Sequence, residues 1–199
     1  MGKVVGIVAS PRRDGNTADM TNHALACLQK KGVETEVYNL FDFKITSCGI
    51  RCNVECYKHT SLSERVCPVD KEDDLLKVVR IINEPDGTIL ATPCYSLDIP
   101  AQFKAYLERS ELKEFNDKVV GIIALASLGG IHTVSRITSN LIHHSHSAIA
   151  GWAMLTHFYP RRGQAMKDEN NRKSIEKLAE QMYLALQERG NRKKCNEAE

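Results

Sequence analysis

The feature that most constrains this chain is a short apolar run that leads directly into a polar turn. Residues 4–8 read VVGIV, which is typical of a buried strand, and residues 9–17 read ASPRRDGNT before a helical pattern begins. A turn between a strand and a helix aims backbone N–H groups at one point, and the helix N-terminus adds about half a positive charge. This arrangement predicts a phosphate-binding loop.

Five residues of this turn are predicted to hold the phosphate. Ser10, Asn16 and Thr17 supply hydroxyl and amide donors, Arg12 supplies a counter-charge, and Gly15 is expected to turn with positive φ. An ordinary helix cap is the alternative interpretation of the same residues. The chain has neither GxxxxGK[ST] nor GxGxxG in this turn, which disfavours a nucleotide triphosphatase and a dinucleotide fingerprint. A smaller phosphate ligand remains, and flavin mononucleotide (FMN) is the candidate.

Length and charge fit one α/β domain. The 199 residues are enough to bury a sizeable core, and the net charge of +2 is too small to indicate nucleic acid. No apolar run approaches the length of a membrane span, and the N-terminus lacks a signal-peptide pattern. We therefore expect a cytoplasmic protein with no nucleic-acid or membrane partner, a single domain over residues 1–190 and a polar tail over residues 191–199.

Strand and helix patterns alternate along the chain. Strands are predicted at residues 4–8, 33–40, 88–92, 118–126 and 148–158. Helices are predicted at residues 17–31, 70–83, 99–110, 131–146 and 174–188, with the acids at 70–74 in the first turn of the second helix. This alternation predicts a five-stranded parallel sheet with helices on both faces, in the flavodoxin-like order 2-1-3-4-5.

Ligands of such sheets bind at the carboxyl ends of the strands, near the point where the strand order reverses. Three loops should meet there, at residues 10–17, 93–97 and 127–130. The second and third loops are expected to line the flavin ring, and no catalytic side chain is predicted because the cofactor carries the chemistry. The residues assigned to the ring are Pro93, Cys94, Tyr95, Ser96, Leu97, Ser127, Gly129 and Gly130.

Four of the seven cysteines fall in the long loop predicted at residues 41–69. Cys48, Cys52, Cys56 and Cys67 are interpreted as metal ligands, since disulfides are rare in a reducing cytoplasm. Buried thiols are the bland alternative, and a polar loop disfavours them. Zinc is another alternative, which the lack of CxxC knuckles disfavours, and an iron–sulfur cluster is favoured. On one straight helix Cys48 and Cys56 would lie ~12 Å apart, so the segment must bend.

Histidines and a basic loop are weaker candidates. His143, His144 and His146 invite a metal interpretation, but adjacent histidines point to different helix faces, and a solvated helix end is favoured. His132 follows the third loop and is a candidate flavin contact, although a surface position is favoured. Residues 161–163, RRG, follow the last strand, where they form a candidate site for an anionic donor or a solvated basic loop.

Two segments resemble a known family. Residues 9–17 resemble the GSPRxxGNT loop of NADPH-dependent FMN reductases, with Ala9 where the family often has Gly. Residues 92–95 and 100–105, TPCY and PAQFKA, resemble their TPxY and PAxxKx segments. With its cysteine loop after the second strand, the chain resembles an iron–sulfur flavoprotein of the anaerobic, largely archaeal type, although the first two cysteine gaps are each one residue longer than usual.

The resemblance implies FMN, a 4Fe–4S cluster, and a homodimer or homotetramer that brings the cluster of one subunit near the flavin of another. It also implies electron transfer, with ferredoxin or NAD(P)H as the donor. The chain is therefore predicted to be an FMN-dependent electron-transfer oxidoreductase. The alternatives are a cluster-free NAD(P)H-dependent FMN or quinone reductase and, outside the enzymes, a zinc-stabilised binding module.

Overall fold

The computed structural model describes residues 2–49, 67–110, 112–126, 130–157, 159 and 161–196. Within these residues, strands and helices alternate as the sequence predicts. The strands are β1 (Lys3–Val8), β2 (Glu34–Asn39), β3 (Gly87–Pro93), β4 (Val119–Leu125) and β5 (Ala148–Leu155). The helices are α1 (Asn16–Gln29), α2 (Leu75–Asn83), α3 (Ala101–Arg109), α4 (Gly130–His144) and α5 (Glu169–Asn196).

The five strands form one parallel sheet in the order β2-β1-β3-β4-β5, which confirms the predicted flavodoxin-like topology. β3 is buried along its whole length because helices cover both faces of the sheet. β2 lies on one side of β1 and β3 lies on the other, so the strand order reverses between β1 and β3. The carboxyl ends of these two strands therefore lie side by side at the switch point.

Two apolar clusters pack on opposite faces of the sheet. Neighbouring residues of one strand alternate between them, so that Ile122 belongs to one cluster and Ile123 to the other. The first cluster includes side chains of α2, α3 and α4, and the second includes side chains of α1 and α5. None of the helices in the described part of the chain is both long and apolar enough to span a membrane.

Some predicted boundaries are wrong. α2 begins at Leu75, because the acids at residues 70–74 lie in a short 3-10 turn and the bend after it. α5 begins at Glu169 and continues to Asn196, so the described part of the predicted polar tail is helical. Val37 of β2 is 46% exposed although it is apolar, since β2 is an edge strand. The middle of the cysteine loop, residues 50–66, lies outside the described residues.

Candidate functional site

A cleft of about 290 Å³ opens at the carboxyl ends of β1, β3 and β4, beside the N-terminus of α1. Most of the predicted phosphate loop and the start of the loop after β3 contribute to it, together with residues that follow β5. The residues that line this cleft are Ser10, Arg12, Asp14, Gly15, Asn16, Thr17, Pro93, Cys94, Tyr95, Leu125, Ala126, His157, Tyr159, Arg161 and Arg162.

The phosphate loop is a tight turn held by short-range hydrogen bonds. The backbone N–H of Arg12 donates to Ser10 Oγ over 3.3 Å, and the N–H of Gly15 donates to the Arg12 carbonyl over 3.2 Å. The first bond of α1 runs from the N–H of Asp19 to the Gly15 carbonyl. The N–H groups of Asn16 and Thr17 therefore have no acceptor within the helix, and both residues line the cleft.

The positive φ expected at Gly15 is wrong. Gly15 is the N-cap of α1 with φ −86° and ψ 173°, an extended conformation that any residue adopts. A side chain at this position would instead meet the Arg12 backbone, because a Cβ would lie 3.2 Å from the Arg12 carbonyl oxygen and 3.1 Å from its Cβ. Glycine at this position therefore reflects the tightness of the turn.

The Asn16 side chain joins the phosphate loop to the segment after β5. Its Nδ2 donates to the carbonyl oxygens of Tyr159 and Arg161 over 3.2 and 3.1 Å. Its Oδ1 accepts a hydrogen bond from the N–H of Ala165 over 3.2 Å. The side chain that the sequence assigns to the phosphate thus holds the opposite wall, which leaves the Asn16 backbone N–H for a ligand.

The segment at residues 157–165 forms that opposite wall. Tyr159 is held by its hydroxyl, which donates to Asp168 Oδ2 over 3.2 Å and accepts from Asn171 Nδ2 over 2.8 Å. The backbone N–H of Asn170, helped by the Tyr159 hydroxyl, holds the pKa of the Asp168 carboxyl below its usual value. His157 and Tyr159 were not predicted from the sequence, although both follow β5 at the same edge of the sheet.

The cleft is rich in positive charge. Arg12 and Arg161 are exposed in its lining, and Arg162 pairs with Asp14 across its mouth over 2.7 Å. Guanidinium groups and free helix N–H groups are the donors that phosphate oxygens bind best. Residues 161–163 were one of the candidate anion sites in the sequence, and the structure brings Arg161 and Arg162 to the phosphate loop.

The loop after β3 contributes Pro93, Cys94 and Tyr95 to the cleft. Beyond them the chain makes a two-residue turn, because Tyr95 and Asp98 exchange backbone hydrogen bonds of 2.8 and 3.0 Å. Ser96 and Leu97, which form the turn, have φ of 49° and 66°. Left-handed backbone is costly for residues other than glycine, so this turn is strained at the rim of the cleft. Ser96 and Leu97 do not line the cleft itself.

The third predicted loop is only partly described. Ser127 and Gly129 lie outside the described residues. Ala126, the residue before them, lines the cleft and donates its N–H to the Leu155 carbonyl over 2.8 Å. Gly130 is buried at the start of α4, where a Cβ would lie 2.9 Å from Met154 Cγ. Close packing of α4 on β5 accounts for glycine at this position.

The predicted metal ligands are also only partly described. Cys48 is exposed and Cys67 is half-buried, and both are free thiols, whereas Cys52 and Cys56 lie outside the described residues. Within the described ranges, no three His, Cys, Asp or Glu residues are grouped closely enough to hold a metal ion.

The histidines of α4 stand apart from the cleft. His132 lines a shallow surface depression with polar residues of its own helix, so it is not among the cleft residues. His143, His144 and His146 are exposed at or just after the end of the helix, in agreement with the solvated helix end favoured from the sequence.

Comparison with known proteins agrees with this geometry. Residues 2–159 match the family model of the NADPH-dependent FMN reductases. The chain belongs to this family. The match confirms the resemblance seen in the sequence and makes the chain an FMN-dependent oxidoreductase. The matched residues include the phosphate loop, the loop after β3 and Tyr159, whereas Arg161 and Arg162 lie just beyond the matched range.

Relatives of this FMN reductase family member include proteins named iron–sulfur flavoproteins. One from Methanocaldococcus jannaschii is 35% identical over 149 residues, which cover 71% of this chain and 72% of the relative. Another from Archaeoglobus fulgidus is 36% identical over 110 residues, which cover 54% of this chain and only 44% of that relative.

Solved structures share the fold at low sequence identity. RosB, solved with a bound 8-demethyl-8-formylriboflavin-5'-phosphate intermediate, superposes with a TM-score of 0.69 at 20% identity, covering 98% of this chain and 85% of RosB. An FMN-dependent NADH-azoreductase from Bacillus anthracis, solved in complex with FMN, gives 0.66 at 10% identity, covering 90% of this chain and 99% of the azoreductase. These similarities confirm the flavodoxin-like fold.

Proposed function

We propose that this chain transfers electrons between FMN bound in the cleft and an iron–sulfur cluster bound by its cysteine loop. The observation that carries the first half is the meeting of the α1 N-terminus, Arg12 and Arg161 at the carboxyl ends of β1 and β3. The second half is supported by four cysteines within twenty residues and by relatives that are named iron–sulfur flavoproteins.

The cleft residues fit FMN. The N–H groups of Asn16 and Thr17, with Arg12 as counter-charge, suit the doubly charged phosphate at the start of α1. Tyr95, which lines the cleft and is 43% exposed, offers an aromatic surface to a planar ring. When bound, FMN exchanges one or two electrons with its partners, and the protein contributes binding, orientation and hydrogen bonds.

The cluster ligands would be Cys48, Cys52, Cys56 and Cys67. Thiolates of four cysteines are the ligand set of a 4Fe–4S cluster, which exchanges one electron at a time. Cys48 and Cys67 support this assignment because both are free thiols, at the two described ends of the loop.

The proposed function includes an oligomeric state and an electron donor. We expect a homodimer or homotetramer, because Cys48 is exposed and a cluster there would be open to solvent in a monomer. Ferredoxin or NAD(P)H would supply the electrons. Light scattering on the anaerobic protein gives the oligomer, and stopped-flow flavin reduction by each donor identifies the physiological class.

The test is to purify the protein anaerobically and to measure iron, acid-labile sulfide and FMN per chain. The expected result is near four of each per chain in the wild type. Cys48→Ser and Cys67→Ser should lose iron and sulfide yet keep FMN. Cys27→Ser is the matched control, because Cys27 lies in α1, away from the loop, and should keep both cofactors. Wild-type protein with FMN but no iron would contradict the cluster half of the proposal.

A cluster-free NAD(P)H-dependent FMN or quinone reductase is the second candidate. The description of the matched family favours it, since that family takes its name from reduction of FMN by NADPH. This candidate predicts fast flavin reduction by NADPH that is unchanged in Cys48→Ser and Cys67→Ser.

A further inference from the structure

Helix α3 holds the chain that leads into the cysteine loop. Gln102 and Arg109 are seven residues apart, about two helical turns, so both side chains leave the same face of the helix. Gln102 Nε2 donates to the carbonyl oxygens of Leu40 and Phe43 over 2.9 and 2.6 Å. Arg109 Nη1 donates to the Thr46 carbonyl over 2.8 Å, two residues before Cys48.

Arg109 also holds the chain that leaves the loop. Its guanidinium pairs with the carboxylates of Asp70 and Asp73, three and six residues after Cys67. Arg109 is 3% exposed, so this ion-pair cluster lies inside the protein. A planar guanidinium presents five N–H donors in a fixed fork, and therefore it can bind three separate acceptors at once.

The two ends of the loop are joined directly as well. Asp73 Oδ2 accepts from the N–H of Thr46 over 2.9 Å. Lys44 and Asp74 exchange two bonds, of 2.9 Å to the Asp74 carboxylate and 2.8 Å to the Lys44 carbonyl. We call the six residues joined in this way the loop clasp: Lys44, Thr46, Asp70, Asp73, Asp74 and Arg109. Within it, the N–H of Asp70 donates to the carbonyl of Cys67 over 3.1 Å.

We propose that Arg109 is a positioning residue for the iron–sulfur cluster, and this inference rests on the function proposed above. Arg109 contacts Thr46, two residues before Cys48, and Asp70, three residues after Cys67, so it ties the chain on both sides of the loop before any metal binds. Groups behind the ligands of a metal site fix ligand orientation, and removing them weakens metal binding 10–100-fold.

The alternative is that Arg109 only stabilises the fold. Arg109→Lys separates the two roles, because lysine keeps the positive charge and has no fork that reaches the three partners together. We expect Arg109→Lys to keep FMN and a folded structure while a chelator removes iron about 10–100-fold faster than from the wild type. The reduced cluster should also give a broader electron paramagnetic resonance signal, because its cysteines are held less uniformly.

Two further variants keep the test decisive. Asp70→Asn removes the carboxylate charge that Arg109 holds on the Cys67 side of the clasp, and it should release iron faster even if Arg109→Lys does not fold. Lys118→Met is the matched control, because Lys118 is another buried cation and binds the carbonyl oxygens of Asn83 and Pro85 over 2.5 and 2.6 Å, on a different part of the chain. This control should lower stability without changing the rate of iron release.

The outcomes are distinguishable. Faster iron release in the clasp variants alone supports the proposal. Wild-type release rates in Arg109→Lys and Asp70→Asn, or equally fast release in Lys118→Met, would overturn the role of Arg109 and leave the cluster assignment intact. Wild-type protein without iron and sulfide would overturn both that assignment and this inference.

Discussion

The cleft and the loop clasp are built in opposite ways. In the cleft, the main groups offered to a ligand are backbone N–H groups, which the parallel sheet and the start of α1 bring to one edge. In the clasp, side chains bind backbone carbonyls and carboxylates that are distant in sequence, and Arg109 contacts Thr46 across 63 residues. The fold itself specifies the first region, whereas a few individual side chains specify the second.

This difference predicts how each region responds to substitution. A backbone-built site should tolerate the loss of most single side chains, because the N–H groups remain in place. A side-chain-built site should fail when one buried partner is removed, because the charge left behind has lost its counter-charge. Four substitutions or titrations test the contrast, beginning with the one of largest expected effect.

Asp73→Ala should lower the free energy of unfolding by about 3 kcal/mol, the lower end for a broken buried ion pair, because Arg109 loses one carboxylate and keeps that of Asp70. Urea denaturation of the FMN-loaded protein at pH 7 measures this loss. Asp14→Ala is the matched control in the cleft region, where Asp14 and Arg162 are both about two-thirds exposed, and it should change stability far less. Equal losses in the two variants would contradict the contrast.

Asn16→Ala is the exception expected within the cleft, because three hydrogen bonds of this side chain hold the wall at residues 159–165. The expected loss is about 2–3 kcal/mol, at roughly 1 kcal/mol for each bond. FMN affinity, measured by quenching of flavin fluorescence, should fall in parallel. Asn140→Ala on the surface of α4 is the control. Unchanged stability in Asn16→Ala would show that residues 159–165 keep their position without the Asn16 hydrogen bonds.

Arg12→Gln should weaken FMN binding about tenfold, which is the loss of one charge-assisted hydrogen bond of roughly 1.5 kcal/mol. Stability of the FMN-free protein should not change, since Arg12 is exposed. Fluorescence titration at low and high salt checks both the affinity and its charge dependence. Arg13→Gln is the control, because Arg13 pairs with Asp42 and does not line the cleft. An affinity that is the same in both variants would remove Arg12 from the phosphate site.

The pH dependence of stability should carry the smallest signal, and it should come from the clasp. Burial raises the pKa of the Asp73 carboxyl, but Arg109 and the N–H groups of Thr46 and Leu75 lower it more, so it lies below its ordinary 3.8. Because this pKa is lower in the folded than in the unfolded chain, its contribution is complete above about pH 4 and is lost as the pH falls through the folded value. Urea unfolding between pH 3 and 7 should therefore show a smaller acid loss in Asp73→Asn than in the wild type, and parallel profiles would refute this.

The cleft could be predicted from the sequence, whereas the ion pairs and hydrogen bonds of the loop clasp could not. Strand periodicity, the switch point and the turn at residues 9–17 are local signals, and they were enough to bring Ser10, Arg12 and Tyr95 to one edge. The acids at residues 70–74 also carry a local signal for a helix start, but the distant Arg109 takes two of their carboxylates, so α2 begins at Leu75. No single sequence window reveals a partner 36–39 residues away.

The same limit applies at Gly15 and Asn16 of the phosphate loop, where the expected φ of Gly15 was wrong and the contacts of the Asn16 side chain were not foreseen. Gly15 and Asn16 have the residue types of a phosphate turn, and the sequence does not show what surrounds them. Gly15 is required by the closeness of the Arg12 backbone, and the Asn16 side chain is used by a segment about 145 residues further along the chain. Packing against remote segments decides both roles.

The loop clasp also bears on how freely the cysteine spacing can change. The 23 residues between Thr46 and Asp70 form a closed chain whose ends are tied by the protein itself. Closing a chain of this length costs about 3 kcal/mol of entropy beyond a constant, and doubling its length adds only ~0.6 kcal/mol. Insertions between the cysteines of this loop are therefore cheap in chain entropy, and they leave the domain beneath the clasp unchanged.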